Sequence, residues 1–151
     1  MKSLFLLFTI TCSSLLNTDD GFIDPTGTYI LKGEVQKNKI ISHSGEIRVK
    51  LLDNGKVAIS FYINKGYPGY ESVSFVDTLP YADNLAKYNP AAYADCTIIF
   101  AFSNKDAEIQ QVYTDPQSGC FGKDILISTF FKKSSSDKPV IQDLSAHGVT
   151  E

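Results

Sequence analysis

The chain has 151 residues, enough for one domain with a single hydrophobic core, and it carries 14 basic against 17 acidic side chains. This near balance of charge lacks the basic footprint that nucleic-acid binding requires. There is also no polybasic run of the kind that holds a protein on an anionic membrane. We therefore expect neither nucleic acid nor a bare membrane surface as a partner.

The first 20 residues are typical of a targeting segment followed by a polar spacer. Lys2 supplies a positive start, and residues 4–10 form an apolar run too short to span a bilayer. An ordinary signal peptide, discarded with its Cys12, is the favoured interpretation. A lipoprotein signal, in which Cys12 is lipidated and anchors the protein to a membrane, is the alternative; a buried N-terminal strand is a third. The segment predicts an exported protein, in the periplasm, on the cell surface or secreted.

The first predicted strand of the mature chain is at residues 28–32, after a turn that ends in Gly27. The segment Gly27-Thr28-Tyr29-Ile30-Leu31 resembles the Gly-x-Trp opening of lipocalins and fatty-acid-binding proteins, with tyrosine in place of tryptophan. The resemblance implies a β-barrel with Tyr29 plugging its closed end. It also implies a small apolar ligand as cargo.

Residues 46–63 predict a β-hairpin. Apolar and polar residues alternate along both arms, as expected when one face of a strand is buried. Asn54-Gly55 lies between the arms, and this dipeptide is a strong hairpin signal because both residues tolerate positive φ. The apolar positions are Ile47, Val49 and Leu51 on the first arm, and Val57, Ile59, Phe61 and Ile63 on the second.

The remainder of the chain also predicts short strands separated by turns. Residues 37–39 are expected at the tip of a small hairpin, and Pro80 is expected to end a strand at 72–79 or to mark a sheet edge. The strand at 96–102 is apolar on both faces, which predicts a central position. Further strands are predicted at 85–88, 107–114 and 124–132.

With no convincing amphipathic helix, this pattern predicts an all-β domain. A small antiparallel up-and-down β-barrel of about eight strands removes exposed sheet edges and is the favoured architecture, with a two-sheet β-sandwich as the alternative. We expect a signal peptide and spacer at 1–20, a single barrel domain at 21–133 and a flexible tail at 134–151.

Two cysteines remain once the targeting segment is set aside. In an oxidising compartment, the pair Cys96 and Cys120 predicts a disulfide that closes a loop of about 25 residues. The region around the pair resembles small exported bacterial domains, some of them similar to periplasmic lysozyme inhibitors. The segments that carry this resemblance are 96–100, 119–122 and 130–133. It implies a disulfide-bonded β-barrel and suggests inhibition of a cell-wall hydrolase.

Residues suited to catalysis are few. His43 lies in a polar connector and His147 in the predicted tail, neither with an acid placed locally to orient it, and no glycine-rich phosphate loop follows a strand. Asp77 stands on the apolar face of its strand, where it is expected to accept a backbone hydrogen bond, line a polar cavity, or mark a bulge; a ligand-facing role is also open. We expect no enzyme activity, no cofactor and no metal site.

Tyrosines are concentrated in the middle third of the chain, several of them beside Pro or Gly. Tyrosine suits contact surfaces because it offers a large area with little rotamer entropy to lose. The plain alternative is a set of surface tyrosines without a partner. The candidate binding residues are Tyr67, Tyr70, Tyr81, Tyr88, Tyr93 and Asp77.

These observations predict a monomeric, non-enzymatic binding protein that engages a protein or a glycan through tyrosine-rich loops. A lipocalin-like carrier with a small apolar ligand inside the barrel is the alternative, since an eight-stranded barrel is wide enough either to be filled by side chains or to hold one small ligand.

Overall fold

A computed structural model describes residues 21–93, 95–114, 120 and 128–141. The predicted signal segment at 1–20 with its Cys12, the first four residues of the predicted strand at 124–132, and His147 lie outside the described residues. The described part contains no helix, and 59% of it is strand. No helix there is long and apolar enough to cross a membrane.

Eight strands form a closed antiparallel barrel, in the order β1-β10-β9-β8-β7-β6-β5-β4. The predicted barrel is confirmed and the sandwich alternative is wrong. A separate two-stranded hairpin, β2–β3, lies between β1 and β4 in the chain. The strands are β1 (Gly27–Leu31), β2 (Val35–Gln36), β3 (Lys39–Ile40), β4 (Ser44–Leu52), β5 (Lys56–Asn64), β6 (Ser72–Ala82), β7 (Leu85–Tyr88), β8 (Cys96–Phe102), β9 (Asp106–Tyr113) and β10 (Thr129–Ser135).

The predicted hairpin forms β4 and β5. Its two arms pair from Leu52 opposite Lys56 to Ser44 opposite Asn64, without a register shift. Asn54 and Gly55 have φ values of 74° and 69°, in the left-handed region that the Asn-Gly signal predicts. The tight turn fixes the register, and the register directs the alternate residues Val57, Ile59, Phe61 and Ile63 of β5 inward.

The barrel interior is filled by aromatic and branched side chains from alternating positions. Phe61 is at its centre, with its ring centroid 5.2 Å from Phe75, 5.7 Å from Phe100 and 6.1 Å from Phe131. Phe61, Phe100 and Phe131 are each at most 1% exposed. Ring pairs at these separations add packing energy beyond the area that they bury.

One end of the barrel is closed by residues 21–26, which cross it beneath two buried tyrosines. The Tyr29 hydroxyl donates to the Pro25 carbonyl at 2.8 Å, and the Tyr81 hydroxyl donates to the Ile23 carbonyl at 2.8 Å. Both rings pack on Phe102, with centroids 5.6 and 5.9 Å away. Burial raises the pKa of Tyr29, and it raises the pKa of Tyr81 to about 12. We call this the closed end.

A disulfide joins Cys96 to Cys120, with Cα atoms 5.5 Å apart. This is a normal separation for a bridged pair. Both residues are buried, and the Cys120 amide donates to the Gln111 side-chain oxygen at 3.2 Å. The bond therefore ties the start of β8 to the chain that follows β9.

Candidate functional site

The long connections all leave the barrel at the end opposite the closed end. Short turns join the strands at the closed end, whereas residues 32–43, 65–71 and 89–93 emerge at the other end, where β9 also ends and β10 begins. We call this the loop end. Loops on a rigid barrel are where binding residues are commonly found.

Tyr67 and Tyr70 form an exposed aromatic pair on the 65–71 loop. Their ring centroids are 6.1 Å apart at an interplanar angle of 73°, and the residues are 46% and 48% exposed. The Tyr70 amide donates to the Gly66 carbonyl at 2.8 Å, and the Asn64 side chain donates to the Tyr70 carbonyl at 2.8 Å. The loop is thus fixed by its own hydrogen bonds while both rings face solvent.

The β2–β3 hairpin supports this loop from the side. The Tyr67 amide donates to the Ile40 carbonyl at 2.7 Å, and Lys39 Nζ lies 4.1 Å from the centroid of the Tyr67 ring. Gly66 has a φ of 83°, and a Cβ there would be 2.7 Å from the Ser42 carbonyl oxygen. The two segments are therefore in close contact. We call Tyr67, Tyr70, Lys39 and Ile40 together the tyrosine platform.

A seam separates β6 from β7 below the loop end. The two strands pair only at Tyr81 with Ala86 and at Ala82 with Leu85. Within the part of the chain that the structure describes, the rest of β6, from Ser72 to Pro80, has a strand partner on the β5 side alone. The barrel sheet is closed by hydrogen bonds at one end of this seam and opens toward the other.

Two aromatic rings bridge the seam. Phe75 of β6 and Tyr88 of β7 stack with centroids 3.8 Å apart and planes 11° from parallel. Burial raises the pKa of the Tyr88 hydroxyl, and the nearby Asp77 carboxylate raises it further. Packing between side chains thus replaces backbone pairing at this position.

Asp77 lies at the edge of the seam. Its backbone is in regular register opposite Ile59, so no bulge is present, yet its side chain is exposed. The carboxylate accepts the Thr78 amide at 2.7 Å. Of the arrangements expected for Asp77, the structure shows the backbone hydrogen bond. The carboxylate bends around the strand edge instead of entering the core.

The other predicted tyrosines lie apart from the platform. Tyr93, in the 89–93 segment at the loop end, is 39% exposed, and its amide donates to the Pro90 carbonyl at 3.0 Å. Tyr81 is buried at the closed end. It lies on β6 because that strand continues through Pro80 to Ala82, beyond the predicted end at 79.

The described residues line two grooves, among others, on the outer surface. One, of about 290 Å³, lies where β6 and β7 meet and is lined by Pro80, Ala82, Asp83, Leu85 and Lys87. A polar one of about 350 Å³ at the closed end is lined by Asn104, Lys105 and residues 133–136. In the described ranges, no group of three or more His, Cys, Asp or Glu residues is placed to hold a metal ion.

Two features of the loop end were missed by the sequence reasoning. The first is the contact of Lys39 and Ile40 with Tyr67, for which the apolar pair Ile40-Ile41 inside a polar connector was the available signal. The second is the open edge of β6, for which Pro80 was a partial signal. No protein-family model matches this chain, and the searches of curated proteins and of solved structures also find no match. The role of the loop end is therefore inferred from its geometry.

Proposed function

We propose that this protein is an exported, non-enzymatic binding protein whose tyrosine platform engages a protein or glycan partner. The observation that carries the proposal is the Tyr67–Tyr70 pair, half exposed on a loop that internal hydrogen bonds hold in place. Large rings that face solvent on a fixed loop are typical of contact surfaces.

The fixed loop lowers the cost of binding. Ordering a flexible side chain on association costs about 0.5–1.5 kcal/mol, and ordering a loop adds to this. The platform has its backbone ordered beforehand by the bonds of Asn64, Gly66 and Ile40. A few residues dominate the affinity of a contact surface, each costing about 2 kcal/mol or more when truncated, and tyrosine is enriched among them. Tyr67 and Tyr70 are the candidates for this role on the platform.

Packing of the interior favours a surface site over the carrier alternative. The rings around Phe61 occupy the middle of the barrel, where a lipocalin-like ligand would lie. The closed end is filled by Tyr29 and Tyr81. A small apolar ligand would have to displace several of these side chains, and close-packed cores resist such rearrangement.

Inhibition of a cell-wall hydrolase is a concrete form of this proposal. Such an enzyme has a concave substrate site, and a rigid projecting loop such as 65–71 suits insertion into one. Export is supported by the buried disulfide, since disulfides persist in oxidising compartments.

The test is affinity capture from the envelope and medium of the exporting cells, with the Tyr67→Ala/Tyr70→Ala double variant beside the unaltered protein. Tyr62→Ala is the matched control, because Tyr62 is 43% exposed and lies on β5 outside the platform. We expect a partner that the double variant loses and the control retains. Binding of the protein to a purified cell-wall hydrolase and to isolated wall glycan is then measured in separate assays. Equal capture by the double variant, with its fold verified by circular dichroism, would refute the proposal.

A further inference from the structure

The open edge of β6 offers backbone hydrogen bonds beside the tyrosine platform. We infer that residues 72–76 of β6 accept an extended segment of a partner protein, which adds to the sheet as a further β-strand. The inference rests on the proposed binding function and deepens it, because it selects a protein over a glycan as the partner. Addition of a strand to an exposed sheet edge is an established mode of peptide recognition.

The pairing with β5 fixes which backbone groups face the open side. The Tyr81 amide donates to the carbonyl of Gly55 at 2.8 Å, so the odd-numbered residues of β6 point their amide and carbonyl groups at β5. In an antiparallel ladder alternate residues point the opposite way. Ser72, Ser74, Val76, Thr78 and Pro80 therefore direct their backbone groups into the seam.

Part of this edge is already blocked. Pro80 cannot donate a hydrogen bond to an added strand, because proline has no backbone amide hydrogen. The Thr78 amide already donates to the Asp77 carboxylate. Proline and charged side chains are both known protections of exposed strand edges. Among the described residues, none protects the amides of Ser72, Ser74 and Val76 in either way, so this stretch can accept a strand.

The unprotected stretch continues directly into the platform. Ser72 follows Glu71 and Tyr70 in the chain, and the Lys65 amide donates to the Glu71 carbonyl at 2.9 Å, which holds the loop at the strand end. A segment paired with Ser74 therefore extends to Tyr70. Edge and platform form one surface, in which main-chain bonds provide affinity and the rings provide specificity.

Charge distinguishes a foreign segment from a second copy of this chain. Two exposed carboxylates lie at the two ends of the stretch: Asp77 at one end, and at the other Glu71, which forms an exposed ion pair with Lys65 Nζ at 3.3 Å. Exposed ion pairs of this kind are weak, so Glu71 remains accessible to a second cation. If two copies paired antiparallel about Ser74, each Glu71 would face the other copy's Asp77, and like charges directly opposite are destabilising. A segment with basic residues at both ends is complementary.

The test uses the peptide acetyl-Lys-Thr-Val-Thr-Val-Thr-Lys-amide. Paired antiparallel, its lysines lie opposite Asp77 and Glu71 and its valines opposite Phe75 and Val73. We expect NMR titration to shift the amides of Ser72, Ser74 and Val76 most. Ser74→Pro removes the central edge amide and should weaken binding at least tenfold, while the matched control Ser74→Ala retains that amide and should bind within twofold of the unaltered protein.

A second comparison leaves the protein unaltered. N-methylation of the peptide's central threonine blocks the backbone group that faces β6 and should abolish binding, whereas N-methylation of a valine blocks the opposite side and should not. Equal effects of the two modifications, or shifts confined to other strands, would overturn the inference. So would a concentration-dependent dimer in sedimentation velocity that Ser74→Pro abolishes, because a second copy would then be the occupant.

Failure of this inference is distinguishable from failure of the proposed function. A captured partner that depends on Tyr67 and Tyr70 but binds Ser74→Pro normally overturns strand addition and leaves the platform intact. A partner that is lost with both variants agrees with both proposals. Capture that neither variant alters refutes both.

Discussion

Reduction of the Cys96–Cys120 bond should lower the stability of the barrel by a predictable amount. The two residues are 24 positions apart, and cross-linking a loop of that length removes conformational entropy from the unfolded chain. In the chain-entropy model the loss is 2.1 + 1.5R ln n cal/mol/K, which for n of about 24 corresponds to about 3.5 kcal/mol at 25 °C. Both sulfurs remain in the reduced protein, so no cavity adds to this figure.

Urea unfolding with and without reductant measures the effect. With a denaturant slope of about 1.5 kcal/mol/M, the midpoint should fall by about 2 M on reduction. Both arms carry Cys12→Ser, which prevents pairing between chains, and thiol titration confirms the two states. Identical midpoints would show that the bond places no constraint on the unfolded chain, and the entropic reasoning would be wrong.

Three smaller perturbations probe the core, the closed end and the surface charge. Phe61→Ala should lower the free energy of unfolding by about 3–5 kcal/mol, because it leaves a cavity among the rings. The control Tyr62→Ala, at the adjacent exposed position, should change it by no more than about 0.5 kcal/mol; urea unfolding measures both. Tyr29→Phe should cost about 1 kcal/mol through the lost bond to the Pro25 carbonyl, and an unchanged melting temperature would contradict that bond. A hydrogen bond from the Ser103 hydroxyl, and to a smaller extent one from Lys132, lowers the pKa of Asp106 in the folded protein. The ionised Asp106 carboxylate therefore stabilises the fold above the unfolded pKa of about 3.9, and this stabilisation is lost as the pH falls through the lower folded pKa. The stability difference between the unaltered protein and Asp106→Asn should therefore shrink in thermal unfolding below about pH 4.

Local patterns were enough to predict the hairpin and the fold class. Alternation and the Asn54-Gly55 signal act over neighbouring residues, and β4 and β5 match the prediction closely. Closure of the barrel depends on Thr28 pairing with Ser135, at the far end of the chain. No local pattern specifies that contact; it was inferred from the need to remove sheet edges.

The extent of β6 shows where local rules were insufficient. Pro80 suggested the end of a strand, yet β6 continues to Ala82 because Pro80 faces the seam, where no amide is required. Tyr81, which lies beyond the strand end predicted at residue 79, consequently points into the closed end. The exposure of Asp77 has the same origin: a carboxylate opposite Ile59 reaches water only because β7 diverges from β6.

Closed barrels normally leave no strand edge, and the seam makes this one an exception with a physical consequence. β7 has four residues and pairs with β6 at two positions, so it is too short to cover the eleven residues of β6. An uncovered edge invites aggregation unless it is protected. Thr78 and Pro80 are protected, while no described residue protects Ser72, Ser74 and Val76, and these three adjoin the exposed Tyr67–Tyr70 pair. Partner binding and self-association would therefore compete for the same backbone groups, and the exposed Asp77 carboxylate at the end of the stretch favours a basic partner.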